Sequence, residues 1–189
     1  MINKILQGDV LARLKDIPDN HVQMVCTSPP YWALRDYGAE GQFGLEPTPE
    51  GYVEKLVEIG QELKRVLRDD GTFWLNLGDT YWGGGWRGAG LNKHSGNVQK
   101  GHQGSHCGDA MSMGKGSHSL IKPKDMVGIP WRSAFGLQAD GWYLRQDIIW
   151  SKPNPMPESV VDRCTKAHEY IFLLSKSKNY YYDSNAIKQ

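Results

Sequence analysis

Val22-Gln23-Met24-Val25-Cys26-Thr27-Ser28-Pro29-Pro30-Tyr31-Trp32 is the stretch whose reading decides the fold. Val22 to Cys26 is short, β-branched and apolar, and it stops at a double proline, which predicts a buried strand. Two consecutive prolines donate no backbone hydrogen bonds and cannot extend a ladder. Pro30 also keeps Pro29 out of helical angles. The chain therefore leaves the strand tip stiff and extended, with a hydroxyl at Ser28, an unused carbonyl at Pro29 and a ring at Tyr31. In open α/β sheets ligands bind at such carboxyl ends of strands.

These groups suit work on a planar amino group. The Ser28 hydroxyl and the Pro29 carbonyl both accept hydrogen bonds, so together they can hold an NH2 and turn its lone pair out of conjugation. Tyr31 offers a face for stacking a base taken out of a duplex. A proline-rich turn with a core tyrosine explains the same residues without chemistry, and the flanking sequence weighs between the two.

On the amino side, Ile5-Leu6-Gln7-Gly8-Asp9 predicts a strand, and Val10 to Ile17 one or two helical turns stopped at Pro18-Asp19-Asn20. On the carboxyl side a loop runs from Ala33 to Pro47. Pro49 to Arg68 then predicts a helix, with Thr48 as cap and Pro49 in the first turn. Tyr52, Val53, Leu56, Val57, Gly60, Leu63, Val66 and Leu67 form its apolar stripe. Asp69-Asp70-Gly71 ends it, and Thr72 to Leu77 predicts the next strand, closed by Gly78-Asp79. Met126 to Ala139 predicts another helix. Leu144 to Trp150 and Glu169 to Leu174 predict two strands able to pair antiparallel, separated by Ser151-Lys152-Pro153-Asn154-Pro155, a second stiff loop.

Residues 83–124 differ in composition, holding half of the 22 glycines and four of the six histidines. They predict a long flexible insertion. Arg87, Lys93, Lys100, Lys115, Lys122 and Lys124 make it locally basic, which suits either DNA-backbone contact or a solvated loop. The spacing of His94, His102, His106, Cys107 and His118 matches no standard zinc site, so no metal is expected.

The chain has 189 residues, 39% hydrophobic and 23% charged, with a formal net charge of +1. That size fits one domain, and the near-neutral charge requires any DNA-binding surface to be a local patch. No apolar run is long enough to span a membrane, and Met1-Ile2-Asn3-Lys4 does not begin a signal peptide. Three cysteines, Cys26, Cys107 and Cys164, without framework spacing, fit a reducing cytoplasm.

With these flanks in place, Ser28-Pro29-Pro30-Tyr31 resembles motif IV of the amino-directed DNA methyltransferases, the N4-cytosine and N6-adenine enzymes, in which Asp, Asn or Ser precedes Pro-Pro and an aromatic residue. The resemblance runs from Gln7-Gly8-Asp9 to His168-Glu169-Tyr170-Ile171-Phe172. The segments stand in the β-type order, in which the catalytic motif precedes the cofactor motif. It implies a Rossmann-like class I S-adenosylmethionine-dependent methyltransferase fold with an antiparallel edge strand, S-adenosylmethionine as cofactor and double-stranded DNA as partner. It implies catalytic roles for Ser28, Pro29, Pro30 and Tyr31. Asp9 is placed near the adenosine end of the cofactor, although it also reads as a helix cap.

Trp32, Arg35, Lys152, Asn154, His168 and Glu169 are implied to border the base or the DNA. Arg35 has a salt bridge to Asp36 as its alternative, and Asn154 a turn between prolines. The loop after Trp32 resembles the family's mobile loop. Ser rather than Asp at position 28 leans toward N4-cytosine. The family's Asp-Pro-Phe-x-Gly-Ser-Gly-Thr-like cofactor segment has no counterpart here, and Gly83-Gly84-Gly85 is a poor substitute. The expectation is therefore one partial catalytic domain over residues 1–189, holding five of seven strands, with an exposed sheet edge and a missing C-terminal portion or second chain. The alternatives are an inert or split DNA-binding fragment, or N-methylation of RNA or of a protein amide.

Overall fold

A computed structural model describes residues 3–83, 118–158, 160–186 and 188. Three helices, α1 (Val10–Leu14), α2 (Pro49–Val66) and α3 (Ile129–Ala139), accompany four strands, β1 (Val22–Thr27), β2 (Leu67–Leu77), β3 (Tyr143–Ser151) and β4 (His168–Ser175). The sheet order is β1-β2-β4-β3. β1 and β2 are parallel, joined through α2, while β2–β4 and β4–β3 are antiparallel. The expected pairing of the last two strands is therefore present.

Of the five expected strands, the described residues contain four. Ile5 to Asp9 has no strand partner and Ile5 is 98% exposed, so neither ladder bonds nor burial hold it extended. The expected boundary after α2 also moves. Leu67 follows the helix directly as the first residue of β2, and Asp69-Asp70-Gly71 lies inside that strand. The register passes from Val22↔Leu67 to Met24↔Thr72, so a two-residue step on β1 faces a five-residue step on β2, and the extra residues bulge outward.

α2 starts as expected, with the Thr48 hydroxyl accepting from Gly51 N at 3.1 Å and Pro49 in the first turn. Its buried stripe is Tyr52, Leu56, Ile59, Gly60, Leu63 and Val66. A Cβ at Gly60 would lie 2.5 Å from Leu137 Cδ2, so glycine is what lets α2 and α3 approach here. Phe73, Leu75, Leu77, Phe172 and Leu174 are 0% exposed on the helix-facing side of the sheet, where Trp131 of α3 meets Phe172 edge-on with centroids 5.1 Å apart. On the opposite face of β1, Met24 is 56% exposed and Cys26 is also exposed.

α3 has Gly128 at its N-cap, with φ +78° and no side chain to cap it. The cap comes from a distant residue instead: Asp79 Oδ1 accepts from Gly128 N and Ile129 N, both at 3.0 Å, and from Thr80 N at 2.9 Å. Three orphan donors thus converge on one carboxylate. Asp79→Ala is expected to lower stability by about 1–2 kcal/mol in urea denaturation, as the loss of a good N-cap does. An unchanged midpoint would rule this role out.

Residues 118–124, read as part of the 83–124 insertion, lie against the fold. Residues 80–82 and 124–127 run antiparallel, with Trp82 N bonded to Asp125 O at 2.8 Å, Lys124 N to Trp82 O at 2.9 Å and Val127 N to Thr80 O at 2.9 Å. Ile121 is only 4% exposed and enters the core, while Leu120 beside it is 76% exposed. His118 Nδ1 accepts from Leu120 N and Ile121 N, which leaves its Nε2 hydrogen for Glu50 Oε1 at 3.2 Å. Residues 84–117 of the expected insertion lie outside the described residues, as do four of its six basic residues and the histidine–cysteine set apart from His118. No described helix is long and apolar enough to cross a membrane.

Candidate active site

The strand order brings four chain segments to one rim. The carboxyl ends of the parallel pair β1 and β2 lie there. Because β4 is antiparallel to β2, and β3 to β4, the start of β4 and the end of β3 lie there too. Ser28 to Tyr31, Asn76 to Asp79, Lys152, and His168 with Glu169 are thereby gathered from positions far apart in sequence.

The double-proline segment is fixed from behind. The Tyr52 hydroxyl, from the buried face of α2, donates to Pro30 O at 3.1 Å, and Phe43 stacks on the Tyr52 ring with centroids 4.5 Å apart. Gly44 has φ +97°, and a Cβ there would sit 3.1 Å from both Pro30 O and Tyr31 O. Only glycine combines that left-handed backbone with so close an approach. Gly44 O accepts from Ala33 N at 2.8 Å, which turns the chain back after Trp32.

The loop that follows is closed on itself rather than free. Gln42 accepts from Tyr37 N at 2.6 Å and donates to Arg35 O at 2.7 Å, and Asp36 accepts from Gly38 N at 2.7 Å. Arg35 is exposed, and among the described residues it makes no ion pair with Asp36. Trp32 departs from its expected place beside DNA. It is 2% exposed, its indole N–H donates to Glu46 O at 2.8 Å, and its ring stacks on Trp82. The side chain after Tyr31 points into the core and is part of what anchors the loop.

Tyr31 is the centre of the site. Its hydroxyl accepts from Ser28 Oγ at 3.2 Å and lies 2.8 Å from Glu169 Oε2 and 2.5 Å from Asn76 Oδ1. Its ring lies against Gly78, where a Cβ would come within 2.6 Å of Tyr31 Cε2. Burial pushes the phenol up to about 12, and the neighbouring Glu169 carboxylate pushes in the same direction, against a lowering hydrogen bond from Ser28. The other oxygen of Glu169 pairs with the Lys152 ammonium. Burial opposes ionisation of Glu169, but the hydrogen bonds from Lys152 and Tyr31, with the charge of Lys152, hold it below the usual carboxylate range. A half-buried ion pair thus ends in a neutral phenol, which in turn takes up an exposed serine hydroxyl at the rim.

Of the residues singled out in the sequence, the structure joins Ser28, Tyr31, Lys152 and Glu169 in one hydrogen-bonded chain. Asn154 is exposed in the loop beyond Lys152. His168 faces away from that chain. It precedes Glu169 on a strand, so its side chain points to the other face, where it meets the Tyr170 ring edge-on at 5.2 Å. Asp9 is exposed, and its Oδ1 accepts from Ala12 N at 3.0 Å as the cap of α1. Asn76 and Gly78 belong to the site and were not singled out beforehand. The available signal was an asparagine in an otherwise apolar strand, Thr72-Phe73-Trp74-Leu75-Asn76-Leu77, one residue short of its tip.

Comparison with known proteins bears on this arrangement. A family model described as DNA methylase matches residues 22–189. The chain belongs to the DNA methylase family. Two relatives are similar to it: Type II methyltransferase M.SmaI of Serratia marcescens, 50% identical over 188 residues, and Type II methyltransferase M.Cfr9I of Citrobacter freundii, 47% identical over 191. Each alignment covers 98% of this DNA methylase chain but 60% and 58% of the relative, so the chain spans about three fifths of their length. Among solved structures, the PvuII DNA methyltransferase (cytosine-N4-specific) superposes with a TM-score of 0.63 at 19% identity, over 95% of this chain and 51% of that one. A Thermus thermophilus protein described as a "Putative DNA Modification Methylase", solved with S-adenosyl-L-methionine, superposes with a TM-score of 0.56. The fold is thus that of the class I methyltransferases, with a mixed sheet in which, among the described residues, β1 and β2 form the one parallel pair.

Proposed function

We propose that the whole protein transfers a methyl group from S-adenosylmethionine to the exocyclic amino group of a base flipped out of duplex DNA, with cytosine N4 as the target. The observation that carries this reading is the exposed Ser28 hydroxyl set at the rim beside a Tyr31 ring fixed at its hydroxyl and along its Cδ2–Cε2 side. The family and the relatives designated methyltransferases support the reaction class. Serine at position 28, where aspartate is the commoner residue for adenine, supports cytosine.

The residues present fit the acceptor half of the reaction. Ser28 and the Pro29 carbonyl hold the amino group, and Tyr31, with its Cδ2–Cε2 side against Gly78, offers its ring to the base. On this reading Lys152 and Asn154 on the second stiff loop and exposed Arg35 border the base or contact phosphates. The cofactor supplies an electrophilic methyl group. Toward it the described residues offer only the Asp9 carboxylate beside Gly8, and no glycine turn linking a strand to a helix. We infer that residues outside those described complete the donor site, with this chain as one part of a single methyltransferase domain. No nucleophilic cysteine is needed, since direct transfer relies on positioning and on lone-pair polarisation.

Incorporation of labelled methyl into duplex DNA, RNA and protein by the whole protein tests the reading. Duplex DNA is the expected acceptor, and Ser28→Ala is expected to slow transfer about tenfold, the loss of one hydrogen bond to the reacting amino group. Labelling of RNA or protein in preference to DNA, or an unaffected Ser28→Ala variant, would contradict the assignment.

A further inference from the structure

We propose that Ser28, Tyr31 and Glu169 form a proton relay that carries away the proton released by the target amino group. The inference rests on the reading above and gives Glu169 a task beyond bordering the base. Three observations carry it. The hydroxyl of Ser28 donates to Tyr31 Oη at 3.2 Å, so the chain begins at the rim where the amino group is held. Tyr31 Oη in turn donates to Glu169 Oε2 at 2.8 Å, so the donor direction is the same along the whole path. The path ends on a carboxylate whose side chain is 18% exposed and whose other oxygen is paired with Lys152. Asn76 Oδ1 also lies near the phenol, but one phenolic proton serves one acceptor at a time, and a carboxylate is a stronger acceptor than an amide.

The chemistry demands such an outlet. An exocyclic amino nitrogen that gains a fourth bond becomes cationic and must lose a proton. The nitrogen pair forms the new N–C bond, and the bonding pair of the donor's C–S bond stays on sulfur. The N–H bond then breaks and returns its pair to nitrogen. That proton passes to Ser28 Oγ as the Ser28 proton passes to Tyr31 Oη and the Tyr31 proton to Glu169 Oε2. The cationic sulfonium and the anionic carboxylate at the start become a neutral thioether and a neutral carboxylic acid at the end, so charge balances. Glu169 returns its proton to water after turnover. The high pKa of Tyr31 fits a conduit, because the phenol keeps its proton between turnovers instead of resting as phenolate.

Single-turnover methylation of duplex DNA by the whole protein, in H2O and in D2O, tests the relay. A 2-aminopurine at the target position reports flipping independently. Tyr31→Phe keeps the ring and removes the conduit, and Glu169→Gln keeps the shape and removes the proton acceptor. Each is expected to slow transfer about tenfold, the size of one hydrogen-bonded link, with flipping fluorescence unchanged and the wild-type solvent isotope effect lost. Glu169→Asp is expected to restore most of the rate. Wild-type rates in Tyr31→Phe or Glu169→Gln, or slow variants that keep the full isotope effect, would overturn the relay while leaving methyl transfer standing. A wild-type protein that flips the base and methylates no DNA would overturn the proposed function, and the relay with it.

Discussion

Gly78→Ala is expected to slow methyl transfer about 100-fold while the fold survives, because a displacement on the order of 1 Å at a reacting centre has that effect. The new Cβ would stand 2.6 Å from Cε2 and 2.9 Å from Cδ2 of Tyr31. The ring cannot slide aside freely. Its hydroxyl accepts from Ser28 and donates to Glu169, with Asn76 Oδ1 2.5 Å away, so a shift that relieves the contact breaks or lengthens those bonds. The ring would therefore tilt into the space reserved for the base. A double-mutant cycle isolates the mechanism: in a Tyr31→Ala background the added methyl has no ring to push and should slow transfer no further. Equal slowing in both backgrounds, measured under single-turnover conditions, would show that Gly78 acts through something other than Tyr31.

Phe73→Ala is expected to destabilise the protein by about 3–5 kcal/mol, a large part of the roughly 5–15 kcal/mol that holds a domain folded. Phe73 is 0% exposed in the middle of β2, opposite Val25 of β1 and Leu174 of β4, and its ring lies 5.4 Å from that of Trp142. Neighbours on three sides are backbone-fixed, so the cavity closes poorly. Denaturant titration gives the value directly. A loss below about 1 kcal/mol would mean that the site collapses around the gap, contrary to the tight packing inferred here.

Much of this fold was legible because its signals are local. Thr48-Pro49 with the stripe through Tyr52, Leu56 and Leu63 predicts α2 from capping and period alone, and the double proline marks the end of β1. Where the outcome depended on partners, local signals misled. Ile5 to Asp9 has strand composition, but the described residues give it no neighbouring strand, so Ile5 is left exposed. Asp69-Asp70-Gly71 has the composition of a turn, yet β1 pairs with Leu67 before it and Thr72 after it, so the strand absorbs it as a bulge.

The same division runs through the site. Ser28 and Tyr31 were legible from their motif, and Lys152 and Glu169 from the family resemblance. Trp32 was misplaced because the reversal at Ala33 and Gly44, which turns its indole toward Trp82, depends on a backbone contact eleven residues away. His168 and Glu169 were grouped by adjacency, and the strand separates them onto opposite faces. Asp79 reads as a strand-closing residue, and its capping of α3, 49 residues on, follows only from the tertiary arrangement.

The identity of the methylated nucleoside is the most direct test of the proposed chemistry. Duplex DNA treated with the whole protein and S-adenosylmethionine, digested and resolved by mass spectrometry against standards, is predicted to yield N4-methyl-2′-deoxycytidine. N6-methyl-2′-deoxyadenosine would contradict the cytosine target assigned from Ser28. 5-Methyl-2′-deoxycytidine, or no methylated nucleoside at all, would contradict the claim that this rim of serine, prolines and a clamped tyrosine works on an amino group.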